Sequence, residues 1–292
     1  MDFDVSREAL MEPGLSQNFF DRGYDQDLSL DSFDFQVQNA LWLVEFSRLI
    51  YRHDLSESVD LLGPERSEFL ETIGWETVLF LKRPGACCAL LRPRANGLAV
   101  LVFRGTSTPD DWLVNLDALL VPWAKGGSVH KGFKEAIGSL WSELEPALKE
   151  QQNYGPLFYT GHSLGAALAT LAASLFPPNA LYTFGSPRVG NDLFVESLDP
   201  FPIYRVVNGR DAICQVPLPL PRIGFHHAGQ LCYLTQSGEL LRDASQLAML
   251  KDQWRWEMSE VGEERRRYFM DLPKLMTDHA PVNYVAQLQR LL

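Results

Sequence analysis

Basic residues, cysteines and long apolar runs are all scarce in this sequence of 292 residues. Lysine and arginine number 26 against 37 aspartates and glutamates, which gives a formal net charge of −11. Nucleic acid and anionic membrane surfaces repel such a chain on average, so we expect no nucleic-acid partner. No apolar run reaches the roughly 20 residues that a membrane-spanning helix needs. These shortages argue against a nucleic-acid-binding protein and against a membrane-spanning one.

The four cysteines, Cys87, Cys88, Cys214 and Cys232, lack metal-ligand spacing with histidines. A chain of this length does not need disulfides to fold, so we expect reduced thiols, with one disulfide as the alternative. The sequence begins MDFD, without the basic and apolar stretches of a Sec-type signal peptide. We therefore expect a cytoplasmic location.

Apolar residues make up 46 % of the chain, and their periodicity alternates between strand-like and helix-like stretches. Strands are predicted at 77–81, 87–91, 97–103, 157–159, 181–184 and 203–207, and a hairpin at 229–241. Helices are predicted at 33–51, where the apolar residues fall on one face, and at 133–152 and 164–175. Strands that alternate with helices indicate an α/β fold, with a mostly parallel central sheet flanked by helices. We expect residues 1–30 to form a loosely ordered arm and residues 31–292 a single domain.

A G-x-S-x-G motif, Gly161-His162-Ser163-Leu164-Gly165, lies between a predicted strand and a helix of small residues. Strand, sharp turn and helix in this order are typical of a nucleophile elbow. The helix begins directly after Ser163, so its partial positive charge would stabilise a developing oxyanion. We therefore predict that Ser163 is a nucleophile; the alternative is a glycine-rich turn without chemistry.

With this motif the sequence resembles the fungal-type class 3 lipases of the α/β-hydrolase superfamily. The resemblance covers roughly residues 75–285 and rests on further segments in the same order: 102–106 (VFRGT), 129–133 (VHKGF), 183–190 (TFGSPRVG) and 204–211 (YRVVNGRD). It implies an α/β-hydrolase fold and the hydrolysis of carboxylic esters through an acyl-enzyme. It implies no metal and no organic cofactor.

A serine nucleophile needs a base, and the base needs a carboxylate that holds its tautomer. α/β-hydrolases carry these groups in the chain order serine, acid, histidine. Asp211 lies just past a predicted strand and resembles the catalytic acid of the family, with Asp192 and Asp199 as rivals. His279 lies in a segment, DHAPVNYV, that resembles the catalytic-histidine segment of the family, with His227 as the alternative.

The resemblance also assigns the oxyanion hole and a lid. The backbone N–H of Leu164 is one expected oxyanion donor, and the family places the second at Thr106. A helix is predicted to begin after Thr108, which is suited to cap it. Its apolar face resembles the lid of the family, and the alternative is a helix that packs on the core; that face carries Trp112, Leu113, Leu116 and Leu120.

We therefore expect a serine carboxylic-ester hydrolase, most specifically a triacylglycerol lipase or esterase, whose partner is a lipid or other ester substrate. Phospholipase A1 and feruloyl-type esterase stay open because acyl specificity depends on pocket shape. A non-catalytic binding protein on a hydrolase fold is disfavoured by the complete set Ser163, Asp211 and His279. Acyl transfer to an alcohol other than water is a further alternative. We expect transient contact with a lipid–water interface, and no protein partner is implied.

Overall fold

A computed structural model describes residues 12–24, 26–30, 32–54, 63–106, 119–198, 200–218, 224–258 and 277–292. An eight-stranded sheet in the order β1-β2-β3-β6-β7-β8-β9-β10 forms the centre of this part of the chain. Its strands are β1 (Trp75–Arg83), β2 (Ala86–Pro93), β3 (Ala99–Phe103), β6 (Leu157–His162), β7 (Ala180–Phe184), β8 (Ile203–Asn208), β9 (Gln230–Leu234) and β10 (Leu240–Arg242). Strands β3, β6, β7, β8 and β9 pair in parallel, and the outer strands pair antiparallel. The prediction of a mostly parallel sheet is confirmed.

Helices cover both faces of the sheet. They are α1 (Val37–Leu49), α2 (Arg66–Thr72), α3 (Lys131–Gln151), α4 (Leu164–Leu175), α5 (Asp192–Glu196), α6 (Gln246–Glu257) and α7 (Pro281–Gln289). None of the described helices is long and apolar enough to cross a membrane.

Strand β3 shows why its sequence is apolar without interruption. Val100 and Val102 pack into the core that contains α1 and α7, whereas Leu101 and Phe103 pack into the core that contains α3 and α4. Successive side chains of a strand point to opposite faces, so a strand that is covered on both faces needs apolar residues at every position.

Helix α1 is buried all round, although its sequence predicted one apolar face. Glu45 and Arg48 are each 1 % exposed and form an ion pair of 2.6 Å. The polar face is covered by the chain that precedes it, because the Phe20 N–H donates to Glu45 Oε1 at 2.7 Å and Arg48 Nη1 donates to Asn18 Oδ1 at 3.0 Å. The buried pair is therefore satisfied by the N-terminal stretch.

This N-terminal stretch differs from the expected loose arm over residues 12–24 and 26–30. Phe19 and Leu28 are buried in the core beside α1, and burial of their apolar side chains stabilises the packing of this stretch on the helix. Residues 1–11 lie outside the described part of the chain. The division at residue 31, with a single domain beyond it, remains our proposal.

The prediction that the lid helix extends to Leu120 is wrong. Leu120 lies in β4 (Leu120–Pro122), which pairs antiparallel with β5 (Ser128–His130) in a separate two-stranded sheet. The Lys131 N–H also donates to the carbonyl of Leu119, so the backbone bonds here run between strands and not along a helix. The other expected lid residues lie outside the described residues: Trp112, Leu113 and Leu116.

Candidate active site

Ser163 occupies the sharp turn between β6, which ends at His162, and α4, which begins at Leu164. Its backbone has φ 59° and ψ −129°, a region that costs a non-glycine residue about 1–3 kcal/mol. The Ser163 N–H donates to the carbonyl of Phe184 at 2.9 Å, which ties the turn to the end of β7. The strained backbone is the geometry expected of a nucleophile elbow.

The two glycines of the motif are explained by close backbone packing. A Cβ on Gly165 would collide with the carbonyl of Phe103 at the end of β3, and a Cβ on Gly161 would collide with the backbone of Gly165. Only glycine lets helix α4 approach the ends of β3 and β6 so closely. The spacing of the motif therefore follows from the crossing of one helix over two strands.

Asp211 follows β8 at the carboxyl edge of the sheet, the edge at which Ser163 also lies. The side chain is fully buried, and its two oxygens accept several hydrogen bonds. Oδ1 accepts from the Ile213 N–H at 2.9 Å, and Oδ2 accepts from the Tyr284 hydroxyl at 2.6 Å. The carboxylate is thus held from two sides.

His279 completes the arrangement, because its Nδ1 lies 3.0 Å and 2.9 Å from Oδ1 and Oδ2 of Asp211. Burial by itself raises the pKa of the Asp211 carboxyl, but His279 and the Tyr284 hydroxyl outweigh it and hold the pKa below its ordinary value. An ionised Asp211 accepts a proton-bearing Nδ1, which leaves Nε2 of the neutral ring as a base. That Nε2 atom is buried and has no hydrogen-bond partner among the described residues.

The loops that carry the acid and the histidine are also joined directly. The Asp278 carboxylate accepts from the backbone N–H of Arg210 at 2.8 Å and from Gln236 Nε2 at 2.8 Å. Asn208 Nδ2 donates to the backbone carbonyl of Asp278 at 3.0 Å. Arg210, which precedes Asp211, is therefore fixed to Asp278, which precedes His279.

The expected oxyanion donors flank Ser163. Leu164 is the first residue of α4, where backbone N–H groups have no partner within the helix. On the other side, a Cβ on Gly105 would lie 3.2 Å from the Ser163 Cβ, so the loop after β3 runs against the nucleophile. Thr106 is the next residue of that loop and the last described before residue 119. The location of Thr106 is consistent with the expected role of its backbone N–H as the second donor to the oxyanion.

Two of the rival residues, His227 and Asp192, make other contacts. His227 Nε2 lies 2.9 Å from the carbonyl of Cys214, and burial holds the pKa of this histidine well below its ordinary value. Asp192 opens α5, where its carboxylate accepts from the Leu193 N–H. Asp199 lies outside the described residues. Among the described residues, neither His227 nor Asp192 is hydrogen-bonded to Asp211 or His279.

Two groups at the site were not predicted from the sequence, namely Tyr284 and Asp278. Tyr284 lies five residues after His279, within the segment that carries the resemblance, and helix α7 begins between them at Pro281. A histidine followed within two turns by a helical tyrosine is a signal that could have been used. No sequence pattern predicts the role of Asp278, because its hydrogen-bond partners come from distant loops.

Comparison with known proteins agrees with this geometry. Residues 100–220 match the family model of lipase (class 3). A lipase from Rhizomucor miehei is 36 % identical over 195 residues, which cover 61 % of this chain and 52 % of the relative. The chloroplastic phospholipase A(1) DAD1 from Arabidopsis thaliana is 38 % identical over 148 residues, which cover 40 % of this chain and 33 % of the relative. The chain thus spans about half of the length of these curated relatives, or less.

The fold is also similar to that of solved lipases. The structure of a fungal lipase–inhibitor complex superposes with a TM-score of 0.59 at 25 % identity, over 70 % of this chain and 83 % of that chain. The prediction of an α/β-hydrolase fold is thereby confirmed. Residues 100–220 are thus similar to the class 3 lipase family, and the fold is similar to that of fungal lipases.

Proposed function

We propose that this protein is a serine carboxylic-ester hydrolase that acts on lipid esters through an acyl-enzyme. The observation that carries the proposal is the buried Asp211–His279 pair, whose Nε2 edge has no partner among the described residues. The match of residues 100–220 to the class 3 lipase model supports the same chemistry, and a relative that is 36 % identical is named as a lipase. Ser163, on the strained turn at the same sheet edge, is the nucleophile of this proposal.

In the first half of the reaction, His279 Nε2 removes the proton of the Ser163 hydroxyl while Oγ attacks the ester carbonyl. The backbone N–H groups of Leu164 and Thr106 hold the oxyanion, and Asp211 stabilises the imidazolium that forms. Collapse of the intermediate expels the alcohol, which takes the proton from His279. In the second half, His279 removes a proton from water while the water oxygen attacks the acyl carbonyl. The second intermediate then collapses: its bond to Ser163 Oγ breaks, Oγ takes the proton back from His279, and the acid is released.

The lid belongs to this proposal as well. We assign it to the segment that contains Trp112, Leu113 and Leu116, on the family resemblance. Leu120 is excluded from the moving part, because its backbone is paired with β5. It provides a fixed end at which such a segment would rejoin the fold.

Phospholipase A1 activity is the second candidate. It is favoured by the similarity to a plant protein that bears that name, at an identity close to that of the fungal lipase. The two activities share the acyl-enzyme chemistry and differ in the lipid that the pocket accepts. Release of fatty acid from triacylglycerol, compared with release from the sn-1 position of a phospholipid, distinguishes them.

The proposal is tested with p-nitrophenyl esters of increasing acyl length, comparing wild type with Ser163→Ala. We expect wild type to turn over and Ser163→Ala to lose at least about 10³-fold in kcat, because the nucleophile is removed. Ser142, an exposed serine of helix α3, provides a matched control, and Ser142→Ala should keep wild-type activity. Equal activity of wild type and Ser163→Ala, or no turnover by wild type at any acyl length, would contradict the proposal.

A further inference from the structure

A chain of hydrogen bonds through buried side chains joins the loop after β3 to the loop of His279. The backbone of Gly105 hydrogen-bonds the Tyr51 hydroxyl, and that hydroxyl lies 3.3 Å from His162 Nδ1. His162 Nε2 lies 2.6 Å from the backbone carbonyl oxygen of His279. Tyr51 follows helix α1 and His162 ends β6, so four separate parts of the chain meet in this contact.

The direction of each hydrogen bond follows from the carbonyl oxygen of His279, which can only accept. A carbonyl oxygen only accepts, so His162 Nε2 must carry the proton that it donates to His279. In the neutral ring, Nδ1 is then an acceptor and receives the Tyr51 hydroxyl proton. The oxygen of Tyr51 in turn accepts from the Gly105 N–H. Every member of the chain therefore has a fixed role.

The His162 ring also lies against the His279 ring, with centroids 4.4 Å apart and an angle of 36° between the planes. A charge on both rings would be repulsive at this distance. Burial, together with the nearby His279, lowers the pKa of His162 to about 3. His162 therefore stays neutral, and one tautomer persists, over the pH range in which an imidazole base works.

We propose that His162 and Tyr51 are positioning residues, which fix the backbone of His279 relative to the oxyanion loop at Gly105. The role concerns geometry: Nε2 of His279 must reach both the Ser163 hydroxyl and the leaving alcohol. A displacement of about 1 Å can cost on the order of 10²-fold in rate. This inference rests on the proposed ester hydrolysis, and it adds to the site two groups that touch no reacting atom.

The test compares Tyr51→Phe, His162→Gln, His162→Leu and the double variant Tyr51→Phe/His162→Leu on a short soluble ester. The readouts are kcat, KM, the rate at which a fluorophosphonate labels Ser163, and the melting temperature. Tyr182→Phe is the matched control, because it removes a hydroxyl that lies beneath the start of α1. That hydroxyl bonds the backbone of Asp34 and Gln36 and the side chain of Asn39, which the site does not use.

We expect Tyr51→Phe to lower kcat and the labelling rate about tenfold, with KM within about twofold of wild type. His162→Leu should lose more, and His162→Gln should recover part of that loss, because its amide Nε2 can still donate to the His279 carbonyl. The double variant should be no slower than His162→Leu, because both changes break one chain. Tyr182→Phe should lower the melting temperature and leave kcat unchanged.

Three results would overturn this inference while wild type remains active. They are losses in kcat no larger than that of Tyr182→Phe, additive losses in the double variant, and equal rates for His162→Gln and His162→Leu. Should His162→Leu fail to fold, Tyr51→Phe, His162→Gln and their double variant replace it. The inference is then tested by the size of their kcat losses relative to Tyr182→Phe and by whether those losses are additive. A wild type that neither hydrolyses esters nor reacts with the fluorophosphonate would instead contradict the proposed function, and this inference with it.

Discussion

At the scale of single residues, the candidate site depends on a glycine without a side chain as much as on the reactive side chains. Gly185 follows β7 with φ +59°, and a Cβ there would lie 2.7 Å from Asp211 Oδ2 and 2.9 Å from His279 Nδ1. Real Cβ atoms do not approach their neighbours so closely, so any larger residue must displace the Asp211–His279 pair. Glycine is required at this position for both its space and its backbone conformation.

We expect Gly185→Ala to lower kcat roughly 100-fold, because it moves the pair whose distance sets the geometry of the base. Gly85→Ala is the matched control: its φ is +75°, but a Cβ there would meet no atom within 4 Å. Both variants should lose stability from backbone strain. Only Gly185→Ala should lose activity, and a wild-type kcat for it would contradict the argument from distance.

At the scale of elements, helix α4 shows how closely sequence and structure can agree. Its predicted bounds and its observed bounds are both Leu164–Leu175. The agreement has a local cause, since the elbow sets the start and the run of alanine and leucine favours a helix. Its alanines are fully buried between the sheet and α3, where small side chains allow the helix to approach the strands: Ala166, Ala167, Ala169, Ala172 and Ala173.

Ala169→Leu should therefore lower the free energy of unfolding by about 1–3 kcal/mol, because it inserts three carbons into a filled space. Ser142→Leu adds the same side chain on the exposed face of α3 and should change stability by less than about 0.5 kcal/mol. Urea unfolding measures both values. Equal stability of the two variants would show that the space around α4 is not filled.

The elements that sequence patterns predicted less well depend on distant partners. Strands β4 and β5 are three residues each and pair with one another, and β5 forms one further bridge, between Val129 and Gly190. Neither strand has enough periodicity to be recognised, and Leu120 was assigned to a helix. Helix α1 was predicted as amphipathic over 33–51. Its polar face is buried because residues 12–30 cross it, and no local pattern encodes that crossing.

At the scale of the whole molecule, the two-sided core places titratable groups where water does not reach. The pKa of His162 falls from 6.5 to about 3 on folding, and the pKa of His227 is also lowered, in both cases mainly by burial. The depressed pKa of Asp211 acts in the same direction at lower pH. All three groups bind a proton more readily in the unfolded chain than in the folded one.

Stability should therefore fall as the pH is lowered. Between pH 6.5 and 3 the unfolded chain holds a proton on His162 that the folded chain does not, so the free energy of unfolding decreases, by at most about 5 kcal/mol from this residue. The contribution of Asp211 is present above its ordinary pKa of 3.8 and is lost below it.

Urea unfolding as a function of pH measures this dependence. His162→Gln should flatten it between pH 6.5 and 3, whereas His226→Gln, which changes an exposed histidine, should leave it unaltered. A slope that His162→Gln does not change would show that His162 takes up no extra proton on unfolding.

The sequence by itself determined the alternation of strands and helices and the elbow at Ser163, and its family resemblance pointed to Asp211 and His279. These features are local, because they follow from the spacing of apolar residues and from short motifs of fixed geometry.

Only the tertiary structure decided which histidine meets Asp211, and that Tyr284 and His162 support the pair. The Tyr284–Asp211 contact spans 73 residues and the Tyr51–His162 contact spans 111. Hydrogen bonds over such separations depend on the order of strands in the sheet and on which loops meet at its carboxyl edge, and neither is written in any one segment of the chain.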